Sequence, residues 1–245
     1  MEEEKSLADY GFIFDLDGTL LDDIELARKL PYLALEEMGY DINHPHDPNL
    51  ERKILNILGE NGTNFIIFRI FMKIAKFFGV PWYHRLKFIK KCNIVYKREI
   101  TNCPLFPGAA KAVQEIIKRR GQVGILTTSS MLEIKDRFQN RENLLDPFEN
   151  NILGRDMVKK MKPNPAGIIH LAKKWNIPLK NIVMIGDMKN DIQAGKAVGC
   201  TTIGVLSGFS SREELEKEQA DFILPDVSHL ISILPQIITQ ISNKK

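Results

Sequence analysis

Short apolar runs that stop abruptly at polar residues constrain this chain most. Gly11-Phe12-Ile13-Phe14 runs into Asp15 and Asp17, residues 122–130 (QVGILTTSS) end in hydroxyls, and 181–191 (NIVMIGDMKND) end in acids. The runs are short, rich in branched and aromatic residues, and bounded by glycine or polar groups, so each reads as a buried strand. TTIGVL at 201–206 reads the same way, and DFIL at 221–224 is a further candidate. Helical patterns lie between them: after Pro107-Gly108, over 130–138, from near Pro165, from the acids of 187–191 to about Gly199, and over 227–241. Residues 144–156 suggest a loop and a short strand. Strands alternating with helices predict an α/β fold with a parallel sheet covered on both faces.

In such sheets ligands bind beyond the carboxyl ends of the strands. Asp15, Asp17, Thr127, Thr128 and Asp187 end strands, and Lys162 lies in the connection before the third, so all are expected in one cleft. Positions i and i+2 share one face of a strand, which points Asp15 and Asp17 the same way. Two carboxylates that close repel, so either one stays protonated or a cation binds. Asp187 and Asp191, four apart at a helix start, can both face the cleft, with a cap of that helix as the alternative for Asp191. Clustered carboxylates without histidine or thiolate suit a hard cation, magnesium above all. A lysine and a hydroxyl beside them complete an anion site, the combination that phosphoryl transfer needs.

These motifs in this order, DLDGT, a strand ending in Thr127, Lys162-Pro163 and GDMKND, resemble the phosphatase branch of the haloacid dehalogenase superfamily. The likeness covers nearly the whole core, including LFPGA, DPFENNILG and KPNP, and its general pattern is similar to that of phosphoglycolate phosphatase-like proteins. It implies a Rossmann-like core over 1–22 and 104–245, interrupted by an all-helical cap of the first subgroup over 23–103. It also implies a magnesium-dependent phosphatase that hydrolyses a small phosphorylated metabolite, phosphoglycolate-like or a sugar phosphate, through an aspartyl-phosphate. Carried over by position, Asp15 is the nucleophile. Asp17 is the acid that protonates the leaving alcohol and then the base that activates water. The resemblance puts Asp15, Asp17 (through its carbonyl) and Asp187 on Mg2+, with Asp191 either a further ligand or a support behind them. Thr127, with Thr128 leaving the register open, holds the phosphate, and Lys162 neutralises charge. A phosphosugar mutase on the same scaffold and a non-catalytic phosphate-binding or regulatory protein are the alternatives.

Within the insertion, 23–38 reads as a helix that Pro31 breaks or kinks, and 41–49 as a loop whose His44 and His46 are surface residues. A short helix is expected over 50–58, and two long ones over 63–78 and 81–99. Residues 63–98 hold nine basic and nine aromatic residues and no acid, although the net charge of the chain is only +3. A cap core with a solvated basic face explains this most simply. Steering of anionic substrates, peripheral contact with an anionic membrane, or a homodimer interface are further readings. Nucleic acid is not expected. The acidic start lacks the features of a signal peptide, no apolar run approaches a membrane span, and the three scattered cysteines suit a cytoplasmic protein. Without paired cysteines or a zinc-helix motif, no zinc site is expected.

Overall fold

The computed structural model describes residues 6–40, 64–138 and 142–243. Six strands, β1 (Gly11–Phe14), β2 (Gln122–Leu126), β3 (Ile152–Leu153), β4 (Ile182–Gly186), β5 (Thr201–Val205) and β6 (Phe222–Leu224), form one sheet. Their order is β3-β2-β1-β4-β5-β6, and every neighbouring pair is parallel. The order reverses beside β1, which makes a switch point between β1 and β4. Phe14 is in register with Ile125 on one side and Ile185 on the other, so the chain leaves β1, β2 and β4 at nearly one level.

The insertion supplies α1 (Ile24–Glu36), α2 (Asn64–Phe77) and α3 (Arg85–Glu99). The sheet is joined and covered by α4 (Ala109–Lys118), α5 (Met131–Phe138), α6 (Ala166–Trp175), α7 (Lys189–Lys196), α8 (Arg212–Lys217) and α9 (Leu230–Asn243). Alternation along the strands divides the helices between two faces. Ile13, Leu126 and Met184 join Ile168 and Leu171 of α6 and Ala194 of α7 in one buried cluster. Phe12 and Phe14 point the other way, where Phe14 meets Phe148 edge-on at 6.3 Å between centroids. On that second face Ile125 shares a cavity of about 130 Å³ with Ala109 and Val113 of α4.

The chain divides into two compact units, 1–22 with 104–245, and 23–103. The second has its own core, in which Leu30 and Ala34 of α1, Ile74 of α2, and Phe88, Cys92 and Val95 of α3 are buried together. Pro31 neither ends nor divides α1, so the break among the two sequence expectations does not occur. It lies among the buried residues Leu30, Ala34 and Leu35, and packing of that face outweighs one missing backbone donor. The expectations for 41–58, with His44 and His46, fall outside the described residues. No described helix is long and apolar enough to cross a membrane.

Candidate active site

Beyond β1 the backbone keeps pairing for one residue: the Asp15 N–H donates to the Ile185 carbonyl at 2.8 Å. The chain then turns through Gly18, whose φ of +72° is a left-handed conformation that favours glycine. A side chain there would also collide with Asp187, since a Cβ would lie 2.7 Å from its Oδ2. Gly208 closes the opposite wall even more tightly, because a Cβ there would come within 2.0 Å of the same oxygen. Asp187 therefore sits in a slot lined by glycine backbone. The Phe209 N–H donates to its Oδ2 at 2.9 Å and the Thr19 hydroxyl to its Oδ1 at 3.4 Å.

Asp15, Asp187 and Asp191 form one buried group, each contributing a carboxylate oxygen within 4.8 Å of the others. Lys162 is buried with them, its Nζ 3.0 Å from Asp15 Oδ2 and 2.5 Å from Asp191 Oδ1. Asp15 Oδ1 also accepts the Leu16 N–H at 2.7 Å. Burial raises the Asp15 carboxyl to about 7, against the pull of Lys162 and with the help of the Asp191 and Asp17 charges. Burial also raises Asp187 well above the usual carboxylate range, and the charges of Asp15 and Asp191 add to it. Burial opposes the charge on Lys162, but Asp15 and Asp191 outweigh it and lift its pKa. With all three buried carboxylates ionised, one lysine would leave an excess of negative charge. A hard cation with oxygen ligands answers that excess, so this donor set fits a divalent metal.

Asp191 does both things the sequence left open. Its Oδ2 accepts the Met188 N–H at 3.0 Å at the start of α7, while its Oδ1 faces Lys162. The carboxylate of Asp17 stands apart from the cluster. Its Oδ2 accepts the Ser129 hydroxyl at 3.0 Å and its Oδ1 the Arg137 guanidinium at 2.5 Å. Arg137 lies on α5 and is buried, with 6% of its side chain exposed. Of the two threonines, Thr127 is buried and accepts the Ser129 N–H at 3.1 Å, whereas Thr128 is exposed. Ser130 caps α5, in a reciprocal pair with Glu133.

Sequence reasoning missed Ser129 and Arg137 as partners of Asp17. An arginine in MLEIKDRF carries no mark that separates a buried residue from a solvated one. Ser129 had a weak signal, since four hydroxyls in a row after a strand exceed what one helix cap uses.

The sequence pattern of the haloacid dehalogenase-like hydrolase family matches residues 12–205. A phosphoglycolate phosphatase of Haemophilus influenzae is 28% identical over 226 residues, covering 90% of this chain and 96% of that one. The phosphoglycolate phosphatase of Escherichia coli K12 is 25% identical over 236 residues, covering 91% and 92%. Among solved structures, a HAD family hydrolase from Deinococcus radiodurans with bound phosphate and sodium aligns with a TM-score of 0.76 at 18% identity. That alignment covers 94% of this chain and 97% of the other, and it shows a shared fold.

Proposed function

Since the chain belongs to the haloacid dehalogenase-like hydrolase family and is a phosphoric monoester hydrolase of that type, we propose a magnesium-dependent phosphatase acting on a small phosphorylated metabolite. Phosphoglycolate or a compound close to it is the first candidate, because the relatives carry that name. The observation that carries this reading is the buried cluster of Asp15, Asp187 and Asp191 around Lys162, at the carboxyl ends of β1 and β4.

In this reading Asp15 attacks phosphorus and the bond to the leaving alcohol breaks, which leaves an aspartyl-phosphate. Asp17, two residues on, gives its proton to the departing oxygen. It then takes a proton from the water that hydrolyses the acyl phosphate. Ser129 and Arg137 hold the Asp17 carboxylate in place for the second transfer, in which it accepts the proton. Lys162 beside Asp15 offsets the charge that two anions bring together. Thr127, buried at the end of β2, hydrogen-bonds the phosphoryl oxygens, a task for which the exposed Thr128 is the poorer candidate. The carboxylates of Asp15, Asp187 and Asp191 and the carbonyl of Asp17 would hold Mg2+, which supplies positive charge to the transferring group. The work is assigned to the cytoplasm, where three free buried cysteines stay reduced.

Hydrolysis of an aryl phosphate, followed by a panel of phosphoglycolate and sugar phosphates with and without magnesium, tests this. The expected result is release of phosphate that requires magnesium and favours one metabolite of the panel. No turnover of any ester, or a rate indifferent to chelator, contradicts it.

A further inference from the structure

The 23–103 unit presents a surface that the phosphatase reading does not use. Between α2 and α3 a short 3-10 turn, Trp82–His84, carries two aromatic side chains into solvent, Trp82 at 78% and Tyr83 at 63% exposed. The outer face of α3 continues the patch with Leu86 at 59% and Ile94 at 57%. Large apolar side chains that exposed and that close together mark an interaction site. The turn is braced rather than loose. The Tyr40 hydroxyl and His84 Nδ1 are 2.8 Å apart, Arg85 Nε donates to the Val80 carbonyl at 3.0 Å, and the rings of Trp82 and Tyr83 meet edge-on at 5.7 Å. The opposite face of α3 is committed to the core through Phe88, Cys92 and Val95, so the exposed side chains cannot turn inward without unpacking it.

Lysines are set among these apolar groups. Lys87, Lys90 and Lys97 are exposed on the same outer face of α3. Lys91 and Arg98, by contrast, are engaged by Glu37 at 3.2 and 2.8 Å. No acidic residue occurs anywhere from 63 to 98. That decides among occupants. A two-fold interface between copies of this chain would oppose lysine to lysine, a like-charge arrangement that costs free energy. Single-stranded nucleic acid needs flat aromatic faces for stacking, but here the two rings are edge-on to each other and the rest of the patch is aliphatic. Trp and Tyr at the rim, Leu and Ile beside them and lysines around them match the boundary of a bilayer with negative headgroups.

We propose that the Trp82–His84 turn and the outer face of α3 dock this protein on an anionic lipid surface. The experiment uses the full chain with vesicles of pure phosphatidylcholine and of phosphatidylcholine containing phosphatidylglycerol. Sedimentation with the anionic vesicles alone is expected, weakened by salt. Each of Lys87→Gln and Lys90→Gln should weaken it about 5-fold. Trp82→Ala with Leu86→Ala should abolish it. The emission of Trp82, taken as the difference from a Trp82→Phe chain, should shift to the blue on binding. Circular dichroism of each variant separates loss of docking from loss of fold. Equal binding to both vesicle types, no binding to either, or an oligonucleotide bound in place of vesicles overturns the proposal. So does a dimer that forms through Trp82 without lipid.

Discussion

The sheet unit and the helical insertion handle charge in opposite ways. In the sheet unit three carboxylates, a lysine and an arginine are buried, and each is positioned by named backbone or side-chain partners. In the insertion the described ion pairs, such as Lys91 and Arg98 with Glu37, lie at the surface, and most of the lysines of α3 face solvent. Burying charge is costly, which makes the first arrangement the candidate for the site that reacts. Surface charge is cheap, so the second says only what the surface attracts.

Substitutions that remove one member of each arrangement sharpen this contrast. Lys162→Met should have the largest effect on stability, about 3–5 kcal/mol, because it strands Asp15 and Asp191 without their cation. A chelated sample in thermal unfolding should show it, with partial recovery in magnesium. Arg137→Met should act on rate: kcat falls roughly 100-fold as Asp17 loses its aim, with KM little changed and partial rescue by Arg137→Lys. Asp221 offers a milder case in the same unit. It accepts from Thr202 N at 2.8 Å, Thr202 Oγ1 at 3.0 Å and Lys196 at 2.9 Å, and these partners hold its carboxyl below the usual range against burial. A carboxyl lowered on folding stabilises fully above its unfolded value and loses that contribution as pH falls through the folded one. Asp221→Asn should therefore lower stability near neutrality and flatten its decline at acid pH. Glu37→Ala, in the insertion, should leave the unfolding temperature unchanged within error, since its partners are solvated. A large loss there would break the contrast.

The two regions also differ in how far the sequence foretold them. Strand ends were legible because a run such as IVMIG cannot continue into Asp187 without leaving the apolar core. The order of those ends implied a shared cleft, and Asp15, Asp187 and Asp191 do cluster. What escaped was the bond between distant elements that leaves no local pattern, as with Arg137 and Asp17, 120 residues apart. The choice between Thr127 and Thr128 was equally hidden, since two adjacent hydroxyls differ only once the backbone buries one. Pro31 does not break α1 because local propensity yields to tertiary packing. In α8 the capping box of Ser211 with Glu214 is a local pattern that the sequence does carry.

In the proposed reaction Asp15 is the residue that takes the phosphoryl group. Acid-quenched mass spectrometry of the enzyme in a single turnover, with magnesium and a phosphate ester it hydrolyses, tests it most directly. One phosphoryl group on the peptide containing Asp15, absent in Asp15→Asn along with on the order of 10⁴-fold or more of the activity, is the expected result. Hydrolysis that proceeds with no phosphoryl group on the chain, and at an unchanged rate in Asp15→Asn, would contradict it.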